Sequence, residues 1–268
     1  MVTSLPTSYP YRRDKLLIVG QGIDLDLFAP GGAAASDREE SVGDEGDVPL
    51  VVYVGRLSPV KDVATLIDAT KALLDRRSAS FRVAIVGGPA TPSDDAYVAM
   101  LVRRVRDLGL QHVVAFHPPV TPRAVASWYR RAAVVVNLTA CGSGDKVALE
   151  AMACGRLCLV ANADFGATLQ DLTALLLFRA GDATDLADKL DRVLSLPPGE
   201  RAPMGHRLRD QVARLHDRGV LATKLVAILA DLSASPRRTR QQTPDAAPSR
   251  ADRPGSVASG PSARELRS

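Results

Sequence analysis

The sequence predicts an α/β protein built on a doubly wound parallel sheet. Short segments rich in valine, leucine and isoleucine recur along the chain, and segments with apolar residues at helical spacing lie between them. Uniformly apolar strands that alternate with amphipathic helices are typical of a parallel sheet covered on both faces. The composition, with 46% hydrophobic and 24% charged residues among 268, is that of a globular protein with one large or two small domains.

The first predicted elements lie between residues 16 and 109. The segment LLIVGQGI (16–23) is apolar and ends in a glycine turn, which favours a strand. Two further segments are rich in β-branched residues and do not alternate between apolar and polar residues, as is typical of buried strands: LVVYVG (50–55) and FRVAIVGG (81–88). VATLIDATKALLDRR (63–77) has helical spacing, and the helical pattern DDAYVAMLVRRVRDLG (94–109) ends at a glycine suited to a helix C-terminus.

The second half of the pattern begins at residue 112. HVVAF (112–116) and AVVVNL (133–138) predict strands, and a proline begins the predicted helix PRAVASWYRRA (122–132). Residues 146–155 predict a helix that ends at its final glycine. The remaining predicted elements are strands at 157–161 and 174–180 and helices at roughly 183–195, 199–216 and 218–232.

The chain divides into one domain and two flanking segments. Residues 1–14 are polar and contain proline and tyrosine, as expected of a linker. Residues 15–233 hold the predicted strands and helices, interrupted by a flexible loop rich in glycine, alanine and acidic residues at 30–49. Residues 234–268 are rich in proline, serine and arginine and have almost no large apolar side chains, so we predict a disordered basic tail.

The net charge of +4 comes from the end of the chain. From Ser235 onward there are seven arginines and three acidic residues, an excess equal to the net charge of the whole chain. The folded part is therefore near neutral, which argues against a nucleic-acid-binding groove. No apolar run approaches the roughly 18 residues of a membrane span, and the N-terminus lacks the apolar segment of a signal peptide.

The three cysteines, Cys141, Cys154 and Cys158, lack metal-ligand spacing. They fit a reducing, cytoplasmic setting in which they serve as small buried hydrophobes. A catalytic thiol is the alternative.

A first candidate site is the segment VGRLSPVKD (54–62). Arg56 and Lys61 lie between a predicted strand and a predicted helix, at the carboxyl edge where doubly wound sheets bind ligands. Two cations beside a helix N-terminus suit a phosphate or diphosphate. Two solvated surface cations are the alternative.

A second candidate is the segment VGGPATPSDD (86–95). The paired glycines Gly87 and Gly88 follow a predicted strand and would let the backbone approach a ligand closely. The spacing is not the GxGxxG of a dinucleotide fingerprint, and a tight turn is the alternative.

A third candidate is the segment GSGDKVALEAMACG (142–155). Asp145 can cap the predicted helix, and Lys146 and Glu150 lie one turn apart on the same face. The pair could form an intrahelical ion pair, or Glu150 could accept hydrogen bonds from a ribose diol at the carboxyl edge of the sheet.

In this order, these segments resemble the C-terminal half of a glycosyltransferase of family 4, which has the GT-B fold. The resemblance covers roughly residues 14–195. It rests on the segments GQGIDLDLF (20–28), VGRLSPVKDVATLIDA (54–69), VAIVGGP (83–89), LQHVVAFHPPV (110–120), WYRRAAVVVN (128–137) and DKVALEAMACGRLCLVA (145–161).

The resemblance implies a Rossmann-like domain that binds a nucleotide-sugar donor and transfers the sugar with retention. Arg56 and Lys61 match the residues that hold the donor diphosphate, and Glu150 matches the second glutamate of an E-x7-E motif, expected at the ribose. Phe116 and His117 would lie by the base, chiefly through backbone groups. No metal and no cofactor are implied, because cations and helix N-termini neutralise the leaving diphosphate.

Two departures from the family pattern matter. Gly142 occupies the position of the first glutamate of the motif, so we expect Asp145 or Lys146 to contact the donor sugar instead. The N-terminal acceptor domain of the GT-B fold has no counterpart here, so residues 1–14 would be a remnant of the interdomain linker. A separately encoded N-terminal domain is therefore a possible partner, and we expect little transferase activity from the isolated chain but retained binding of a nucleoside diphosphate.

The runner-up to a transferase is a catalytically inactive nucleotide-binding partner subunit or a truncated gene product. Cytoplasmic location is expected, with peripheral membrane attachment through a partner as a further option.

Overall fold

The computed structural model describes residues 2–4, 16–31, 48–76, 80–140 and 146–234. The strands in these ranges are β1 (Val2–Thr3), β2 (Leu17–Ile18), β3 (Leu50–Val54), β4 (Arg82–Val86), β5 (Val114–His117), β6 (Val134–Asn137) and β7 (Cys158–Val160). The α-helices are α1 (Val63–Arg76), α2 (Asp95–Asp107), α3 (Pro122–Arg131), α4 (Lys146–Ala153), α5 (Gly166–Leu169), α6 (Thr173–Leu176), α7 (Ala183–Ser195), α8 (Pro198–His216) and α9 (Arg218–Ala234).

The core of the domain is a five-stranded parallel sheet. Its strand order is β5-β4-β3-β6-β7, so the chain moves outward from β3 in one direction and then returns to β3's other side. Ligands bind in such sheets at the carboxyl ends of the strands beside this switch in direction. The predicted doubly wound parallel sheet is therefore confirmed, with β3 and β6 flanking the switch point.

The central strands are buried on both faces because helices cover each side. Val51, Val52, Val134 and Val135 are fully or almost fully buried. The helix α1 packs against α2 and α7, while α4 packs against α3 and α8. This two-sided burial explains why the strands are uniformly β-branched rather than alternating.

Two predicted strands differ in the structure. Within 16–23 only β2 is a strand, and it pairs with β1 in a separate two-stranded sheet, while Ile23 makes a single bridge to Asp217. Within 174–180 the chain forms α6, and only Leu177 makes a bridge, to Val160. Short apolar runs fit a buried helix as well as a buried strand, so hydrophobicity alone did not separate the two.

Three predicted segments fall mostly or wholly outside the described residues. These are the linker at 1–14 apart from residues 2–4, the loop at 30–49 apart from its ends, and the basic tail at 234–268 apart from residue 234. Of the helices in the described ranges, none is long and apolar enough to cross a bilayer.

His216 joins the N-terminal segment to the C-terminal helices. Its Nδ1 accepts a hydrogen bond of 3.2 Å from the backbone N–H of Gln21, and its Nε2 lies 3.2 Å from the Thr168 hydroxyl. An accepting Nδ1 requires the neutral ring with its hydrogen on Nε2, which then donates to Thr168. Burial lowers the pKa of His216 to about 4, and the charge of Lys224 acts in the same direction.

This histidine should make the stability of the fold pH-dependent. The folded pKa of about 4 lies below the ordinary value of 6.5, so the stabilising contribution is complete above pH 6.5 and is lost as the pH falls towards 4. The loss should reach roughly 2–3 kcal/mol, measured as the fall in the free energy of unfolding by urea between pH 7 and pH 4.5.

The matched control compares two histidine variants. His216→Gln should flatten the pH dependence, whereas replacing the exposed His112 by glutamine should leave it as in the wild type. Equal pH slopes in the two variants would show that His216 does not carry the effect.

Candidate functional site

The candidate site lies at the carboxyl edge of the sheet, where β3, β4 and β6 end. Arg56 follows β3 by two residues, Gly87 follows β4 directly, and Thr139 follows β6 by two residues. The helix α1 begins nearby at Val63, after a short 3-10 turn over Pro59–Lys61. Its N-terminus therefore adds a partial positive charge at the edge where β3 ends.

The loops after β3 and β4 are in direct backbone contact. The N–H of Leu57 donates to the carbonyl of Gly88 at 2.8 Å, and the N–H of Gly87 donates to the carbonyl of His117 at 2.9 Å. Gly87 has a φ of 149°, and a Cβ placed on it would lie 1.8 Å from the carbonyl oxygen of Gly55. Glycine is therefore required at this position for both conformation and space.

A cavity of about 280 Å³ opens between these loops, and we call it the carboxyl-edge cavity. Arg56, Gly87 and Gly88 line it together with Pro119 from the segment after β5. The tertiary structure thus brings the first two candidate segments, which lie some thirty positions apart in the sequence, to a single opening.

Lys61 is buried below this edge, with only 9% of its surface exposed. Its Nζ donates a hydrogen bond of 3.1 Å to the hydroxyl of Thr139, which is also buried. A buried ammonium group is costly unless polar groups surround it, and the Thr139 hydroxyl supplies one such group. Sequence reasoning missed Thr139, although its position just past a strand at the carboxyl edge was an available signal.

Further polar groups are buried at the same edge. The Ser58 hydroxyl and the Asn137 amide oxygen have no hydrogen-bond partner among the described residues. Asp62 has a φ of 46° and its carboxylate accepts from the Thr65 hydroxyl at 2.7 Å. Unsatisfied polar atoms and a strained non-glycine residue are features that cluster at ligand sites.

The third candidate segment is described in part. Asp145 and Gly142 lie outside the described residues, so the expected sugar contact of Asp145 stays a prediction. Lys146 is the exposed first residue of α4, and no ion pair joins it to Glu150. The structure therefore gives no support, among the described residues, to the alternative of an intrahelical ion pair.

Glu150 faces α3 from the second turn of α4. It is half-buried, and its carboxylate accepts a hydrogen bond of 3.5 Å from the hydroxyl of Tyr129. Tyr129 is fully buried and packs against Phe28 with ring centroids 6.1 Å apart. The hydroxyl of this tyrosine, which the sequence pattern did not single out, therefore lies at the outer limit of hydrogen-bond distance from the carboxylate.

Phe116 and His117 are the last residues of β5 rather than part of a loop. The His117 ring packs against Trp128, with ring centroids 4.6 Å apart. Burial lowers the pKa of the His117 imidazole, and the positive charge of Arg131 lowers it further. Its backbone carbonyl, in contrast, accepts from Gly87 at the carboxyl-edge cavity. Only the backbone of His117 is thus directed to the candidate site.

The described cysteines lie in the core of the domain. Cys154 and Cys158 are both buried, and burial raises the pKa of the Cys154 thiol to about 12. Since the thiolate is the nucleophilic form, this thiol is inert at neutral pH, as expected of a small buried hydrophobe. Cys141 lies outside the described residues.

Comparison with known sequences identifies related proteins. The family profile described as "Glycosyl transferases group 1" matches residues 48–195. A D-inositol 3-phosphate glycosyltransferase of Frankia alni is 36% identical over 188 residues, which are 69% of this chain and 46% of that protein. The chain therefore spans about half the length of the curated relatives it matches.

Comparison with solved structures identifies the same architecture. Sucrose-phosphate synthase from Thermosynechococcus elongatus matches with a TM-score of 0.69 and 25% identity, over 87% of this chain and 58% of that one. The C-terminal domain of a group 1 glycosyltransferase from Francisella tularensis matches with a TM-score of 0.58 and 23% identity, over 72% of this chain and 97% of that one.

Proposed function

Since the chain belongs to the group 1 glycosyltransferase family, we propose that it is the donor-binding half of an enzyme that transfers a sugar from a nucleoside-diphosphate sugar with retention. The observation that carries this proposal is the convergence of Arg56, Lys61 and the glycine loop at one edge of the sheet. The match to an isolated C-terminal domain of a family member supports a self-contained donor-binding unit.

The diphosphate of the donor would lie across the carboxyl ends of β3 and β6. Arg56 can bind two phosphate oxygens with its planar guanidinium group, and Lys61 supplies a compact charge held by Thr139. The N-terminus of α1 adds to the same field. Together these groups would stabilise the negative charge that develops on the leaving diphosphate as the sugar departs.

The nucleoside would lie on one side of this diphosphate position and the donor sugar on the other. We assign the ribose hydroxyls to Glu150, whose carboxylate lies 3.5 Å from the Tyr129 hydroxyl. Gly88 and Pro119 at the carboxyl-edge cavity, with the backbone of Phe116 and His117, would border the base. Lys146, and Asp145 beside it in the sequence, would contact the sugar. Acceptor binding would require the half of the relatives' length that this chain does not span.

Titration calorimetry on the full chain tests the proposal. A nucleoside diphosphate should bind, and the matching nucleoside monophosphate should bind about 10-fold more weakly because it lacks the phosphate that the second cation contacts. Failure of uridine, guanosine and adenosine diphosphates to bind at millimolar concentration would contradict the proposal.

The ribose assignment gives a separate prediction. Glu150→Gln should weaken binding of a nucleoside diphosphate by about 10-fold, because hydrogen bonds to a charged acceptor are stronger than those to a neutral one. The same substitution should have little effect on a 2′,3′-dideoxynucleoside diphosphate, which has no hydroxyl to donate. Glu200→Gln on the exposed first turn of α8 is the control, and an equal loss for both ligands would place Glu150 elsewhere than at the ribose.

A further inference from the structure

A second cavity lies at the opposite edge of the sheet. It has a volume of about 390 Å³ and is bordered by residues that precede β3, β6 and β7, and we call it the amino-edge cavity. The strand β3 begins at this cavity with Leu50 and ends at the carboxyl-edge cavity with Val54. The length of a strand thus separates the two cavities.

Three arginines and a histidine line the amino-edge cavity. Arg131 lies at the end of α3, Arg156 between α4 and β7, and Arg201 and His206 on α8. Within the part of the chain that the structure describes, no lining residue is acidic. The first turn of α8 also borders the cavity, and its N-cap residue supplies no side-chain hydrogen bond. Charge and helix orientation therefore both favour an anion.

Two of these arginines have no counter-charge among the residues that the structure describes. Within the same residues, Arg156 Nε and Arg201 Nη1 are buried without a hydrogen-bond partner, and neither side chain forms an ion pair. Burial lowers the pKa of both guanidinium groups, and the charges of Arg201 and Arg130 lower that of Arg156 further. Like charges held together and partly removed from water are unfavourable, and a bound anion would relieve this cost.

We propose that the amino-edge cavity binds a small molecule through a phosphate-ester group held by Arg156 and Arg201. The planar guanidinium group binds two phosphate oxygens at once, and a phosphate monoester carries enough negative charge to offset two arginines. The cavity volume falls within the roughly 300–1,000 Å³ of small-molecule sites. This site is independent of the donor site, since none of the residues assigned to the donor borders it.

Thermal unfolding of the full chain in increasing sodium phosphate, against sodium chloride of equal ionic strength, tests the proposal. The Arg56→Gln/Lys61→Met background removes the cations of the proposed donor site, so that phosphate binding there does not contribute. In this background phosphate should raise the unfolding temperature, and Arg156→Gln/Arg201→Gln should weaken the apparent affinity by about 10-fold or more. Arg103→Gln/Arg192→Gln, which removes two exposed arginines, is the control and should respond like the background.

Two further arms identify the source of the phosphate. If glycerol 3-phosphate binds the protein and the binding requires Arg156 and Arg201, the ligand is a soluble ester. If the protein instead sediments with phosphatidic acid vesicles but not with phosphatidylcholine vesicles, and this also requires Arg156 and Arg201, the ligand is a lipid headgroup. Either result supports the site. A phosphate response that is the same in the Arg156/Arg201 variant and the control overturns it. So does a loss of stability specific to that variant without phosphate, because it would show that the arginines already have a protein partner.

Discussion

Replacement of Gly87 by alanine should destabilise the protein by roughly 3–5 kcal/mol, at the upper end of the range for single substitutions. A Cβ at this position would lie 1.8 Å from the carbonyl oxygen of Gly55, which is backbone and cannot rotate away. The φ of 149° is also one that residues with a side chain rarely adopt. Relief would require the loops after β3 and β4 to separate, which breaks their backbone contacts and opens the carboxyl-edge cavity.

Urea unfolding of Gly87→Ala and of a matched glycine variant measures this effect. Apart from its chain neighbours and its own helix, Gly166 has no described atom within 4 Å of a Cβ position, and its φ and ψ are helical. Gly166→Ala should therefore change stability by less than about 1 kcal/mol and in the stabilising direction. A Gly87→Ala protein as stable as Gly166→Ala would mean that the two loops are not packed as the structure describes.

The double variant Arg56→Gln/Lys61→Met should weaken binding of a nucleoside diphosphate by about 100-fold, because it removes two charge-assisted contacts to phosphate.

Calorimetry and unfolding on the same preparations separate loss of a ligand contact from loss of fold. Lys71→Met, on the exposed face of α1 where Lys71 pairs with Asp75, is the control and should bind as the wild type does. Undiminished diphosphate affinity in the double variant would remove Arg56 and Lys61 from the proposed site, even if the chain bound nucleotides elsewhere.

The family and the sheet were accessible from the sequence for a clear reason. Parallel strands buried on both faces must be apolar throughout. Segments such as LVVYVG (50–55) show this apolar character in a few consecutive residues. The predicted GT-B resemblance is confirmed by the family profile and by the fold of the structural matches. The strand predicted at 174–180 was wrong because α6 has the same local hydrophobicity, and tertiary packing decided between them.

From the sequence alone, only the charged residues and the glycines of the candidate site could be predicted. Arg56, Lys61 and Gly87 stand out because cations and paired glycines that follow predicted strands lie at the carboxyl edge, where doubly wound sheets bind ligands. Thr139 and Tyr129 do not stand out, since their importance comes from one contact each, to Lys61 and to Glu150. Contacts between residues far apart in the chain have no local pattern.

The sequence by itself therefore determined the alternation of strands and helices, the family, and the residues that carry charge at strand ends. Only the tertiary structure decided which of those residues share a cavity, that Lys61 is buried against Thr139, and that the side chain of His117 turns to Trp128 while its backbone meets Gly87. It also brought Arg156 and Arg201 to the amino-edge cavity. The physical reason is that propensity and hydrophobic period act over a few neighbouring residues, whereas burial and electrostatic fields depend on how the whole sheet is packed.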